Sequence, residues 1–209
     1  MPSQGYKMSE VSPSNGTKRN KVRILACRVF KPALAYLRLE SECSDISLTY
    51  LPPNLHLRPK ELGKYLRREI AAAERRNERI VCLYGDCFPG ISEYCRHHGV
   101  DKIPGPSCWE MLLGSERYNY LLEEDAGTYF LEKELIYNFK EYCIDPLELY
   151  DEEMRELCFK HYHRLLYVRQ PSDPDLLTEA SEIAKFLRLP LEIQDADYSH
   201  LEKRLSTIL

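Results

Sequence analysis

The chain has no apolar run approaching the 18 or so residues that a membrane span requires, because charged and polar residues interrupt every hydrophobic segment. Its first residues, Met1-Pro-Ser-Gln-Gly-Tyr-Lys-Met-Ser-Glu, lack the apolar core of a secretory signal. The expected location is therefore the cytoplasm, with no membrane partner. An excess of positive charge is also missing: 29 Lys and Arg face 33 Asp and Glu, a net charge of −4. Without a general attraction to phosphate, nucleic acid is not the expected partner, and clusters such as Arg67-Arg68 read as solvated surface. CxxC pairs are absent, so no zinc motif announces itself. Gly85, Gly90 and Gly114 have the wrong spacing for a dinucleotide fingerprint, so nicotinamide and nucleotide cofactors are not expected.

What the 209 residues do contain is an ordinary globular balance, 44% hydrophobic and 30% charged, enough for one sizeable domain or two small ones. Eight cysteines are present. In a reducing compartment these are buried small hydrophobes, reactive thiols or metal ligands and not a disulfide framework.

Residues 1–20 have no apolar periodicity and read as a mobile arm, leaving 21–209 as a single α/β domain with a possible subdivision at a linker-like stretch near 140–146. Val22–Phe30 reads as a first strand with Cys27 at or near its C-terminal end, followed by a helix from Pro32. Asp45–Leu51 alternates as a half-buried strand and is stopped by Pro52-Pro53, with His56 in the loop beyond. Leu62, Tyr65, Leu66, Ile70 and Ala73 recur at helical spacing after Pro59, and a strand follows over Arg79–Gly85.

A short segment around Ile91–His98 and a short strand over Val100–Ile103 precede Ser107, which suits an N-cap for a helix opening at Cys108 and weakened at Gly114-Ser115. Strand character returns at Gly127–Leu131, then helix at Leu135–Phe139 and roughly 147–163. A strand over Leu165–Val168, a helix from Asp173 to Leu187, a strand over Leu191–Gln194 and a closing helix over Tyr198–Leu209 complete the chain. Strands alternating with helices in this way imply a Rossmann-like α/β fold, a mostly parallel sheet with helices on both faces.

Ligands of such sheets bind where loops leave the C-terminal strand ends. Cys27, His56, Cys87 and Cys108 all fall on loops of that kind. Three sulfurs, or two sulfurs and an imidazole, with one open position form the donor set of a catalytic zinc site, and the start of a helix at Cys108 favours a thiolate. Each also has a plainer reading, Cys27 as a core residue and His56 as a packed ring or turn cap, while Cys43, Cys82, Cys143 and Cys158 read as structural. His97-His98 and His161-x-His163 read as surface, since neighbouring helical histidines point to different faces.

Leu25-Ala-Cys27, Leu55-His56, Tyr84-Gly-x-Cys87, Cys108-x-x-x-Leu-Leu-Gly-Ser-x-x-Tyr118 and Gly127-Thr-Tyr-Phe130 occur in an order that resembles the uncharacterised prokaryotic family domain of unknown function 1638. The resemblance runs from about Val22 to the closing helix. It implies a cytoplasmic α/β protein often encoded near corrinoid-dependent methyl-transfer systems, with a corrinoid protein as a possible partner. The chain departs from the family pattern at Ala33, at Pro104–Ser107 and at Glu132–Leu135.

The leading expectation is a zinc-thiolate protein of one-carbon metabolism, a methyltransferase or its accessory, acting on a small-molecule or thiol substrate. Arg117 or the backbone around Gly114 and Ser115 would hold an anionic part of that substrate, with Tyr118 and Tyr129 lining the pocket. Two other classes compete. One is a non-catalytic binding or regulatory protein with a structural metal or cluster, and the other a metal-free cysteine enzyme with His56 as base.

Overall fold

The computed structural model describes residues 21–209, so the expected arm lies outside the described residues. In chain order the elements are β1 (Val22–Cys27), α1 (Lys31–Tyr36), α2 (Leu39–Glu42), β2 (Ile46–Leu51), α3 (Pro59–Arg75), β3 (Arg79–Leu83), α4 (Ile91–His97) and β4 (Asp101–Lys102). There follow α5 (Cys108–Leu113), α6 (Ser115–Glu124), β5 (Thr128–Leu131), α7 (Lys133–Tyr137), α8 (Glu152–Phe159), β6 (Arg164–Arg169), α9 (Leu177–Leu187), β7 (Leu191–Asp195) and α10 (Ser199–Ile208).

Among the described residues all strand pairs are parallel, and they form two sheets, β2-β1-β3-β4 and β5-β6-β7. The α/β class and the parallel pairing are as the residue pattern implies. The division into two sheets is not in that pattern, because apolar strands look alike whichever ladder they join. After β4, only two residues long, the chain passes through α5 and α6 and pairs β5 with β6 instead of extending the first ladder.

Alternation along each strand sends side chains to opposite faces. From β1 and β3, Ile24, Ala26, Val81 and Leu83 meet Leu34 of α1, Met111 and Leu112 of α5, and Leu201 and Leu205 of α10. Phe130, Leu166 and Val168 from the second sheet join that same cluster, so one core is shared by both sheets. On the far face Leu25, Ile80 and Cys82 pack against Leu62, Leu66, Ile70 and Ala73 of α3 and Ile91 and Cys95 of α4. Burial of each Leu or Ile there contributes about 1.5–3 kcal/mol. The second sheet covers its other face with α7 and α9. Arg164, 6% exposed, joins its strands by donating to Thr128 Oγ1 at 2.8 Å and to Glu124 and Glu192 at 2.8 and 2.9 Å.

Several boundaries differ from those the sequence implies. The linker-like stretch near 140–146 is mostly a π-helical turn, Lys140–Ile144, with Tyr142 and Cys143 buried. The helix expected over 147–163 is confined to Glu152–Phe159: Glu148 stands at φ 53°, outside right-handed helix, and Asp151 caps the helix by accepting from Met154 N at 2.9 Å. Asp173 does not open α9. Its buried carboxylate accepts from Tyr167 Oη and Gln170 N, both at 2.9 Å, and the helix begins four residues later. The weak spot at Gly114 is a full break, at φ 86° and ψ 148°, between α5 and α6.

The loops after β3 and β4 touch backbone to backbone. A Cβ on Gly85 would stand 2.8 Å from Ser107 Cα and 2.9 Å from Pro106 O, and Asp86 N donates to Pro106 O at 2.8 Å. Both obstacles are backbone and cannot swing aside. Gly85→Ala is therefore expected to destabilise the protein by about 1–3 kcal/mol in urea denaturation, the range for overpacking a tight site.

Candidate functional site

Strand order in the first sheet reverses between β1 and β3, and ligands of open parallel sheets bind beyond the C-terminal ends at such a point. Cys27 is the last residue of β1 and Tyr84-Gly-Asp-Cys87 leaves β3. The contact at Gly85 then brings in Ser107 and Cys108, which starts α5 with Ser107 as its N-cap. The loop after β2 adds Pro53 and His56, and the end of β5 adds Glu132. Together these enclose a pocket of about 250 Å³ with Val29, Trp109, Leu135 and Tyr142 among its walls.

All four residues singled out as metal ligands, Cys27, His56, Cys87 and Cys108, line this pocket. The sulfurs come from the end of β1, the loop after β3 and the start of α5, brought together by the strand order and the Gly85–Ser107 contact. Burial pushes the Cys27 thiol up to about 12, with Cys87, Glu132 and Glu134 adding to the rise. Burial also raises Cys108 well above the ordinary thiol range, with Cys27 and Cys87 contributing. The backbone N–H of Trp109 pulls the other way, so the helix-start effect expected for Cys108 is present but outweighed by desolvation. Cys87 is raised by burial and partly offset by Lys102. At neutral pH these are thiols and not thiolates.

His56 Nδ1 lies 2.7 Å from Pro53 O, so that nitrogen carries the proton. Burial holds the ring neutral, which leaves the lone pair on Nε2. A backbone carbonyl fixing the tautomer is the usual support for a metal-binding imidazole. Among the described residues no hydrogen bond joins His56 to any of the three thiols.

The donor set suits zinc in kind. Its present spacing does not: among the described residues no group of three or more His, Cys, Asp or Glu is placed to hold a metal ion.

The residues expected to bind an anionic substrate do not line the pocket. Ser115 Oγ donates to Glu110, Arg117 donates to Gln194 Oε1 at 2.8 Å on the surface, Tyr118 stacks on Phe130 at 5.4 Å, and Gly114 sits against the His200 ring. Tyr129 bonds Cys143 Sγ at 3.3 Å in the second core. His97, His98 and His163 are on the surface beside Glu93, Glu74 and Asp125.

Sequence reasoning missed Glu132. It is 2% exposed and caps α7 by accepting from Glu134 N and Leu135 N, each at 2.8 Å. Its one sequence signal was an acidic residue between a strand and a helical run, where the chain leaves the family pattern. Burial raises its carboxyl from 4.5 to about 7, against the lowering effect of the two backbone donors. A carboxyl whose folded pKa exceeds its unfolded one stabilises fully below the unfolded value, and that contribution is lost as pH rises through the folded value. From about pH 5 to pH 8 the protein should lose about 3 kcal/mol from this group, and Glu132→Gln should lack that loss. Urea denaturation of both proteins across that range checks it: parallel stability curves would mean that Glu132 titrates normally.

No helix among the described residues is long and apolar enough to cross a membrane. Neither a curated protein nor a solved structure matches the chain. Leu25-Ala-Cys27, part of the resemblance read from the residues, lies ahead of the segment covered by the matching family model. That model, described as “Protein of unknown function (DUF1638)”, matches residues 50–205, well over half of the chain, and the protein belongs to that family.

Proposed function

We propose that the pocket is a soft-metal site, with zinc as the ion, in which Cys27, Cys87 and Cys108 are the sulfur donors and His56 the nitrogen donor. The observation that carries the reading is the arrival of three thiols from three separate segments in one pocket at the switch point of the sheet. A metal cation offers what this pocket lacks, a reason for buried thiols to ionise. The spacing requires the sulfurs to draw together around the ion, because they do not form a ready cluster.

Raised thiol pKa values argue against the metal-free cysteine enzyme. A nucleophilic cysteine needs a thiolate, and neither a bonded imidazole nor a lysine or arginine on the pocket wall supplies one. With His56 as fourth ligand the bound zinc would be closed and structural; with water in that position it would ionise or polarise a thiol or other small substrate. The link to corrinoid-dependent methyl transfer, as methyltransferase or accessory protein, comes from the family resemblance alone and sets the class of partner to try first.

Metal analysis of protein purified without chelator tests the reading. Stoichiometric zinc is expected in the parent protein, and at least a tenfold loss of affinity in each of Cys27→Ser, Cys87→Ser and Cys108→Ser. Unchanged metal content in all three variants would sink it, as would a parent protein that neither contains nor takes up zinc. Loss of metal together with loss of the fold would shift the role from catalytic to structural.

A further inference from the structure

Tyr84 is the first residue beyond β3, 2% exposed, and its hydroxyl is buried with no hydrogen-bond partner among the described protein groups. Buried phenols ordinarily find one. The other two fully buried tyrosines do: Tyr167 Oη donates to Asp173 at 2.9 Å and Tyr198 Oη to Gln170 Oε1 at 3.0 Å. Tyr84 is the exception, and it lines the thiol pocket, with Cys27 and Cys87 among the groups that disfavour its ionisation. A buried hydroxyl without a protein partner costs the fold stability that a ligand with the right atom recovers on binding.

The remaining wall limits what that ligand is. Among the described residues the only formally charged side chains lining the pocket are Asp86 and Glu132, with no Lys or Arg. An anion would meet carboxylates, and nearby Lys102, outside the lining, is already paired with Asp86 at 3.2 Å. Val29, Leu135, Trp109 and the thiols make much of the remaining wall apolar or weakly polar, with Ser107, Tyr142 and His56 as its uncharged polar side chains. A pocket of about 250 Å³ admits only a small molecule.

We infer that the pocket binds a small uncharged molecule through a carbonyl or ether oxygen that accepts the Tyr84 Oη–H, making Tyr84 a specificity-determining residue. This goes beyond the metal reading and does not rest on it, since the hydroxyl lacks a protein partner whatever the sulfurs hold. It also replaces the anionic substrate expected from Arg117 and Gly114-Ser115.

Trp109 is the only tryptophan and lines the pocket, so its fluorescence reports occupancy. The probes are δ-valerolactam, a neutral ring with a carbonyl acceptor, and cyclohexanecarboxylate, a ring of the same size bearing a negative charge. Saturable binding of the lactam is expected, weakened about fivefold by Tyr84→Phe, as the loss of one neutral hydrogen bond implies. The carboxylate should bind at least about tenfold more weakly than the lactam to the parent protein.

Tyr84→Phe should keep the parent's melting temperature or exceed it, and its zinc content should not change. Equal lactam affinity in the two proteins overturns the inference, as does a carboxylate that binds as well as the lactam or no saturable lactam signal. A lowered melting temperature in Tyr84→Phe also overturns it, because the hydroxyl then has a partner in the free protein. Loss of zinc binding in the cysteine variants alone leaves this inference standing, so the two readings fail separately.

Discussion

The backbone contact between Gly85 and Ser107 is the constraint on which the site depends. It exists because residue 85 has no Cβ, and it brings the loop after β3 against the loop after β4 closely enough for Asp86 N to bond Pro106 O. Cys87 and Cys108 share a wall only while that contact holds. Other interactions secure it from outside: Lys102 Nζ reaches Gly105 O and Asp86 Oδ1, both at 3.2 Å, and Arg204 of α10 donates to Pro104 O and to both oxygens of buried Glu110. The closing helix thus fixes the entry to α5, although it contributes nothing to the pocket lining.

Within the pocket one physical effect sets the state of nearly every polar group. Desolvation keeps the thiols and the Tyr84 phenol protonated, holds His56 neutral and raises the Glu132 carboxyl to about 7. Ionisable groups gathered in a buried pocket, one of them without a partner among the described residues, reduce stability in the free protein. Such local conflicts with otherwise consistent packing are characteristic of functional sites. The rest of the described fold is more conventional: both faces of β1, β3 and β6 are covered, α5, α7 and α8 carry side-chain caps, and the buried Arg164 is surrounded by acceptors.

Much of the fold was legible because hydrophobic periodicity is local. The apolar residues of β1, β3 and β6 and the spacing of Leu62, Leu66, Ile70 and Ala73 in α3 each identify an element without reference to the others. Boundaries failed where a side chain had a better partner elsewhere. Asp173 looks like a helix start, yet it serves Tyr167 and Gln170. Glu148 looks like helix interior, yet its backbone turns left-handed.

For the site, the three thiols and their places at strand ends can be read from local pattern, because a cysteine just past a Gly turn or at a helix start is recognisable from its neighbours. That Glu132 and Trp109 share a pocket with those thiols, and that Ser115, Arg117 and Tyr118 do not, follows from the packing of distant segments. The reason is geometric. Glu132 follows the last residue of β5 in the second sheet, and the core shared by Phe130, Leu166 and Val168 with the first sheet sets where that strand end lies. Whether a tyrosine's hydroxyl is satisfied depends on every neighbour within hydrogen-bond reach, and no local pattern around Tyr84 encodes that.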